Sequence, residues 1–266
     1  MSRKRPTIWD LRASKGKHQY TMLRLFTLEE AEAAERAGID IVSVPPSLLL
    51  NPQYRDAAPS LFTMPGDNFF EFGTADDFVR FAFNLYKHGA DAIYSSAGFP
   101  TVKRLAEDNI PIIGHVGLIP SRKTWTGGFR AVGKTAETAM EIYQAVKTYE
   151  QIGAFGAEIE VVPVEVAEAI CQRTSLFLIS MGAGTGCDAQ YLFSEDILGE
   201  NRGHMPRHSK VYRSFAAEYD RLQQERIAAY SEFVGDCQSG AFPEERHIVR
   251  MPPDELKAFM DKLPSA

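Results

Sequence analysis

No stretch of this 266-residue chain is apolar enough for long enough to cross a membrane, and its short basic start is followed by no signal-like hydrophobic run. A cytoplasmic location is therefore expected. Cysteine is scarce: Cys171, Cys187 and Cys237 are too few and too scattered for a disulfide framework or a zinc signature, and read as reduced thiols. A basic excess is missing too. With 29 Lys and Arg against 35 Asp and Glu, the net charge of -6 disfavours nucleic acid and anionic lipid, leaving a small anionic molecule as the expected partner. Low-complexity tracts, linkers and internal repeats are likewise absent. The expectation is one domain over 1–266, with a helical C-terminal segment at 209–239 and a Pro-containing tail at 250–266.

What is present is alternation. Short apolar runs at 20–23, 39–44, 61–64, 92–95, 111–115, 157–161, 176–180 and 191–193 have the character of buried parallel strands. Between them lie helical stretches: Thr27 to Glu30 reads as a capping box opening a helix that ends near Gly38, and Thr74 to Asp77 opens another that ends near Gly89. A third helix, from Thr135 to about Gly153, places Met140, Tyr143, Val146 and Tyr149 on one face. Strand–helix–strand repetition implies right-handed parallel crossovers, in either an open doubly wound sheet or a closed barrel, and eight strands suffice to close one.

In such a barrel the site forms where loops converge at the C-terminal strand ends. Glu158 and Glu160, two apart on one strand, point to the same side, and an apolar strand carries paired acids only beside a polar cavity, a cation or solvent. Glu160 is the candidate general acid or base, its pKa raised by confinement and by its neighbour; a rim salt bridge is the plainer alternative. His115 ends an apolar strand, where it either polarises a substrate oxygen or bonds to backbone. Ser47, after Pro45 and Pro46, offers a hydroxyl and an amide to a carboxylate. The loop Met181-Gly-Ala-Gly-Thr-Gly186 offers amides to an anion through Gly182 and Gly184, though close packing explains its glycines equally well. Asp67, Phe69, Phe70, Glu71 and Phe72 form an aromatic loop suited to a lid or a core plug. Arg122, Lys123, Arg130 and Lys134 flank Trp125 in a segment able to hold an anionic tail or simply to face solvent.

The run from Ile110 to Pro120, with His115-Val-Gly-Leu-Ile-Pro120 at its centre, resembles ketopantoate hydroxymethyltransferase, as do Gly127-Gly-Phe-Arg130, Glu158 to Pro163, Met181 to Gly184 and Ser239 to His247. The similarity runs from about Thr7 to about His247. It implies a (β/α)8 TIM barrel of the phosphoenolpyruvate mutase and isocitrate lyase type, assembled as a homo-oligomer. The family enolises a branched 2-oxo acid on Mg2+ and adds a one-carbon unit from methylenetetrahydrofolate. By resemblance, Glu160 corresponds to the catalytic acid/base, His115 to the histidine beside the substrate and Ser47 to the serine on the oxo acid.

This chain departs from the pattern at the metal. Pro45-Pro46-Ser47 replaces Gly-Asp-Ser, the third-strand acid aligns near Gly66, and Tyr94-Ser95-Ser96 replaces Lys-x-Glu. Loss of the metal site is therefore expected, since a hard cation needs several oxygen ligands, with Asp67, one place off, the residue able to replace one. The expectation is an enzyme acting at a carbon–carbon bond beside a carbonyl, by one-carbon transfer or aldol-type cleavage. Its catalytic residues are Glu160 and His115, and its substrate contacts Ser47, Tyr94, Ser96, Gly182 and Gly184. The alternatives are a metal-independent lyase or hydrolase for a larger or aromatic substrate, and a ligand-binding paralogue without turnover.

Overall fold

A computed structural model describes residues 3–66 and 72–264. Eight parallel strands, β1 (Tyr20–Arg24), β2 (Ile41–Val44), β3 (Phe62–Pro65), β4 (Ile93–Tyr94), β5 (Ile112–Gly117), β6 (Gly156–Glu160), β7 (Phe177–Met181) and β8 (Ala189–Phe193), form one sheet in the order β3-β2-β1-β8-β7-β6-β5-β4. The two ends meet: Gly66, just past β3, makes a parallel bridge with Tyr94 of β4, so the sheet is a nearly closed TIM barrel. All eight expected strands are present with ends shifted by a residue or two, and β2 and β4 are each trimmed by two residues.

Helices flank the strands. Leu28–Ala37 starts at a Thr27 capping box and ends at Gly38 in the left-handed conformation, and Ala136–Gln151 starts at a Thr135 capping box. Thr74 caps Ala75–Lys87. Each cap satisfies amides that the first turn leaves without an internal partner. In Ala136–Gln151 the buried face is Ile142, Val146 and Tyr149, whereas Met140, expected on that face, is half exposed. The stripe follows i, i+4, i+7 from Ile142 and so begins two residues after Met140.

Two apolar clusters divide the labour. One packs the helices against the outside of the sheet through residues such as Val42, Phe78, Val146 and Ile159. The other fills the barrel with alternate strand residues, Tyr20 and Met22, Ile41, Phe62 and Met64, Ile113, Phe177 and Ile179.

The chain packs as two compact units, 1–213 and 214–266. In the second, the helix Phe215–Ser239 carries Tyr230, Phe233 and Val234 exposed, and Pro253–Met260 follows within the expected tail. The long helix begins at Phe215 rather than at 209. Residues 209–213 are held as a loop, with the Ser209 amide donating to Pro206 O and the Tyr212 amide to Ile197 O.

Candidate active site

Toward the C-terminal ends of the strands the barrel filling changes from apolar to polar. Ser43, His115, Glu158, Glu160 and Tyr191 are all buried, at strand positions whose register continues the inward rows. Arg24 continues the row of Tyr20 and Met22 on β1 and is half-buried. No buried side-chain polar atom among the described residues lacks a hydrogen-bond partner, so this layer is internally satisfied.

His115 is its hinge. Its Nε2 lies 3.0 Å from Glu160 Oε2, 2.9 Å from Leu118 O and 4.0 Å from Glu158 Oε1, while its Nδ1 lies 2.7 Å from the Tyr94 hydroxyl. With acceptors on its side, Nε2 carries a hydrogen. Tyr94 also hydrogen-bonds Glu158, so the two carboxylates of β6 are joined in a chain Glu158–Tyr94–His115–Glu160.

Electrostatics set the proton inventory. Burial, reinforced by the Glu160 charge and opposed by His115, pushes Glu158 up to about 7. For His115, burial acts downward, but the charge of Glu158 and the hydrogen bond to Glu160 outweigh it and the net shift is upward. Burial, then the Glu158 charge, lifts the Tyr94 hydroxyl well above the ordinary phenol range. Glu158 lies two residues deeper along β6 than Glu160 and is the more buried of the two.

Glu160 opens onto a cavity of about 890 Å³, lined also by Tyr191, Phe129, Arg130, Lys134 and Arg207. The backbone around it is constrained. A Cβ on Gly117 (φ +86°) would lie 2.3 Å from Glu160 O, which is why the strand carrying His115 requires glycine there. Val161, directly after Glu160, holds φ +49°, an unfavourable conformation for a β-branched residue, and it lines the same cavity.

The expected site residues divide. His115, Glu160 and Tyr94 come together, and Gly182 and Gly184 line the cavity. A Cβ on Gly184 would lie 2.2 Å from Val164 Cγ2, so close packing requires that glycine. Ser47 is exposed on the short helix Pro46–Leu49 and Ser96 is half-buried with its carbonyl accepting from Arg122; neither lines the cavity. Trp125 is almost fully exposed. Asp67, Phe69, Phe70 and Glu71 lie outside the described residues. Arg24, Ser43 and Tyr191 were not singled out from the sequence, although the inward parity of Tyr20 and Met22 assigns Arg24 to the barrel interior.

At the positions that the sequence resemblance sets against the family's metal ligands, the residues present supply few oxygen donors. Pro46 and Gly66 bring no side-chain oxygen, Ser96 brings a neutral hydroxyl, and a Cβ on Gly66 would lie 2.6 Å from Tyr94 Cδ1, leaving no room for a carboxylate. Arg24 occupies the same corner, its Nη1 donating to Ser43 Oγ at 3.1 Å and reaching Gly66 O at 3.4 Å. Elsewhere, ligand atoms of His115, Glu158 and Glu160 lie within 4.8 Å of one another, close enough to share an ion, but Nε2 is already engaged with Leu118 O.

Barrel and buried acid–histidine chain together define a TIM-barrel enzyme. A family model described as ketopantoate hydroxymethyltransferase matches residues 62–245. The 3-methyl-2-oxobutanoate hydroxymethyltransferase of Gluconacetobacter diazotrophicus is 33% identical over 97% of this chain and 99% of its own length, and that of Thermotoga neapolitana 31% over 90% and 94%. Among solved structures, 2,3-dimethylmalate lyase, a member of the phosphoenolpyruvate mutase/isocitrate lyase superfamily, superposes with TM-score 0.50 at 12% identity, covering 95% of this chain and 94% of that one. The chain belongs to the ketopantoate hydroxymethyltransferase family.

Proposed function

We propose that this protein makes or breaks a carbon–carbon bond next to the carbonyl of a 2-oxo acid, by one-carbon transfer or aldol-type cleavage, with Glu160 moving the proton. The observation that carries this reading is the 3.0 Å contact between His115 Nε2 and Glu160 Oε2 at the wall of a cavity, in a chain of this family. Glu160 takes the proton from the carbon beside the carbonyl. His115, already hydrogen-bonded to it, stabilises the carboxylate and exchanges protons with it. When the imidazole is protonated on both nitrogens, Nδ1 donates to Tyr94 and Tyr94 to Glu158, so a proton arriving at the cavity is shared with a buried carboxylate poised near neutrality.

In this reading the family's magnesium site is lost and the proton is moved by the chain's own side chains. The cationic rim of Arg130, Lys134 and Arg207 suits an anionic second substrate, and the carboxylate tail of methylenetetrahydrofolate, which supplies a one-carbon unit when bound, has the matching charge. We read the exposed apolar residues of Phe215–Ser239 as surface for further copies in a homo-oligomer, to be tested by the mass in solution.

Solvent-deuterium exchange at the carbon beside the carbonyl, followed by proton NMR over a panel of 2-oxo acids, tests the reaction. The expected result is exchange for at least one acid that Glu160→Gln abolishes while leaving the fold intact. Ligand-dependent thermal stabilisation without exchange on any acid would instead identify a binding paralogue.

A further inference from the structure

Three facts meet at the seam where the barrel closes. Gly66 and Tyr94 bridge β3 to β4, and Tyr94 packs where a Gly66 side chain would stand. Tyr94 is fixed in that place by its 2.7 Å contact with His115. Beside them Arg24 enters from β1, held by Ser43 Oγ and Gly66 O, and Ser43 is itself braced by a 2.8 Å contact with the buried Tyr191 hydroxyl. Arg24 therefore rests on neutral oxygens. Among the described residues it makes no ion pair with a carboxylate, in contrast to Arg55, which pairs with Asp91 at 3.0 Å. Burial raises both Glu158 and Tyr191, and the Arg24 charge partly opposes that rise in each, so its field reaches the polar interior of the barrel.

A guanidinium carries five donors in a planar fork that matches a carboxylate two-to-two; both hydrogen bonds found for the Arg24 side chain come from one nitrogen, and its face lies over the Phe26 ring at 5.5 Å. We propose that the Arg24 guanidinium stands in place of the divalent cation, and that it, rather than a metal, anchors the carboxylate and the adjacent oxo oxygen of the substrate. The inference rests on the reading that the site works on 2-oxo acids. It makes the substitutions at the metal positions one coherent change. A fixed positive charge beside the empty positions repels a cation and attracts the anion that the cation would have held. Arg24 acts as an anchor at the β1–β3 side of the mouth, while Glu160 handles the proton on β6. Because a single guanidinium polarises an oxo group less than a divalent Lewis acid does, the proton chain through His115 and Tyr94 carries more of the stabilisation of an enolate.

The test uses oxalate, a planar dianion shaped like the enolate of a 2-oxo acid, titrated calorimetrically into the full chain in excess chelator and again in excess Mg2+. The expected result is binding in chelator that Mg2+ barely alters. Arg24→Met should raise the Kd on the order of 100-fold, as removal of one partner from a buried charge pair does. Arg24→Lys, which keeps the charge but loses the fork, should fall between. Thermal unfolding of each variant guards against misfolding, and the Lys variant keeps the test decisive should the Met variant unfold. Binding that appears only with Mg2+, binding by Arg24→Met equal to wild type, or no binding in either condition overturns the anchor. The exchange measurement stands apart: exchange that survives Arg24→Met sinks the anchor and keeps the reaction, whereas absence of exchange on every acid sinks the reaction itself.

Discussion

The two ends of the same barrel treat buried charge in opposite ways. At the N-terminal end, Asp188 before β8 is buried and accepts from Lys15 Nζ at 2.7 Å and from the Leu178 amide at 2.8 Å. Asp91 before β4 accepts from the Thr63 amide at 2.8 Å and pairs with Arg55 at 3.0 Å and Arg5 at 3.3 Å. Asp188 is matched by one cation and Asp91 by two. At the C-terminal end two acids share one histidine, and the Arg24 guanidinium rests on neutral oxygens instead. A charge matched by a partner fixes the structure and has no reason to change its proton. Charges set against each other store a proton affinity, which is what chemistry uses.

The comparison breaks most visibly if the carboxylates are interchangeable. Glu160→Gln should lower the proton-exchange rate by about 10²- to 10⁴-fold with little change in melting temperature, as loss of a general base does. Next in size, Asp188→Ala should leave Lys15 and the Leu178 amide without their partner and cost about 3 kcal/mol in urea unfolding, while kcat per folded molecule stays at the wild-type value. If Asp188→Ala instead slowed turnover in proportion, the two ends would not be separable.

A third test turns on pH. Glu158 is raised from 4.5 to about 7, so between these values the folded chain holds a proton that the unfolded chain has released. Stability must then fall as pH rises through that window, by on the order of 3 kcal/mol for a shift of this size. His115, also raised, works with the same sign, its contribution present at low pH and lost as pH climbs through its folded value. In Glu158→Gln the slope of unfolding free energy against pH should flatten across the window. A slope equal to wild type would mean that the burial of Glu158 is offset elsewhere. The smallest effect is expected for Gly66→Ala, whose added carbon would meet Tyr94 at 2.6 Å. It should cost about 1–3 kcal/mol by overpacking, and the cost should shrink when Tyr94→Ala is made in the same chain.

Much of this architecture was legible because buried parallel strands and Thr-capped helices have local signatures: the eight apolar runs, the capping box at Thr27 and the helix starts at Thr74 and Thr135 are all found. The pairing of Glu158 with Glu160 on one side of β6 followed from strand parity. Depth did not follow. Which acid reaches both the cavity and His115, and which lies deeper against Tyr94, depends on the stagger of neighbouring strands, which no single strand encodes. The place of Ser47 is likewise not set by its strand: it lies on the short helix after β2 and is exposed. Arg24 went unread because a lone arginine at a strand end usually faces solvent, and only the inward row of β1 distinguishes it.

The bridge between Gly66 and Tyr94 also ties two strands into one unit of change. A side chain placed at Gly66 alone would collide with the Tyr94 ring, and a lysine placed at Tyr94 alone would take the hydroxyl away from His115. The two positions therefore act as a pairwise lock, in which a change on either strand is tolerated only with its counterpart on the other.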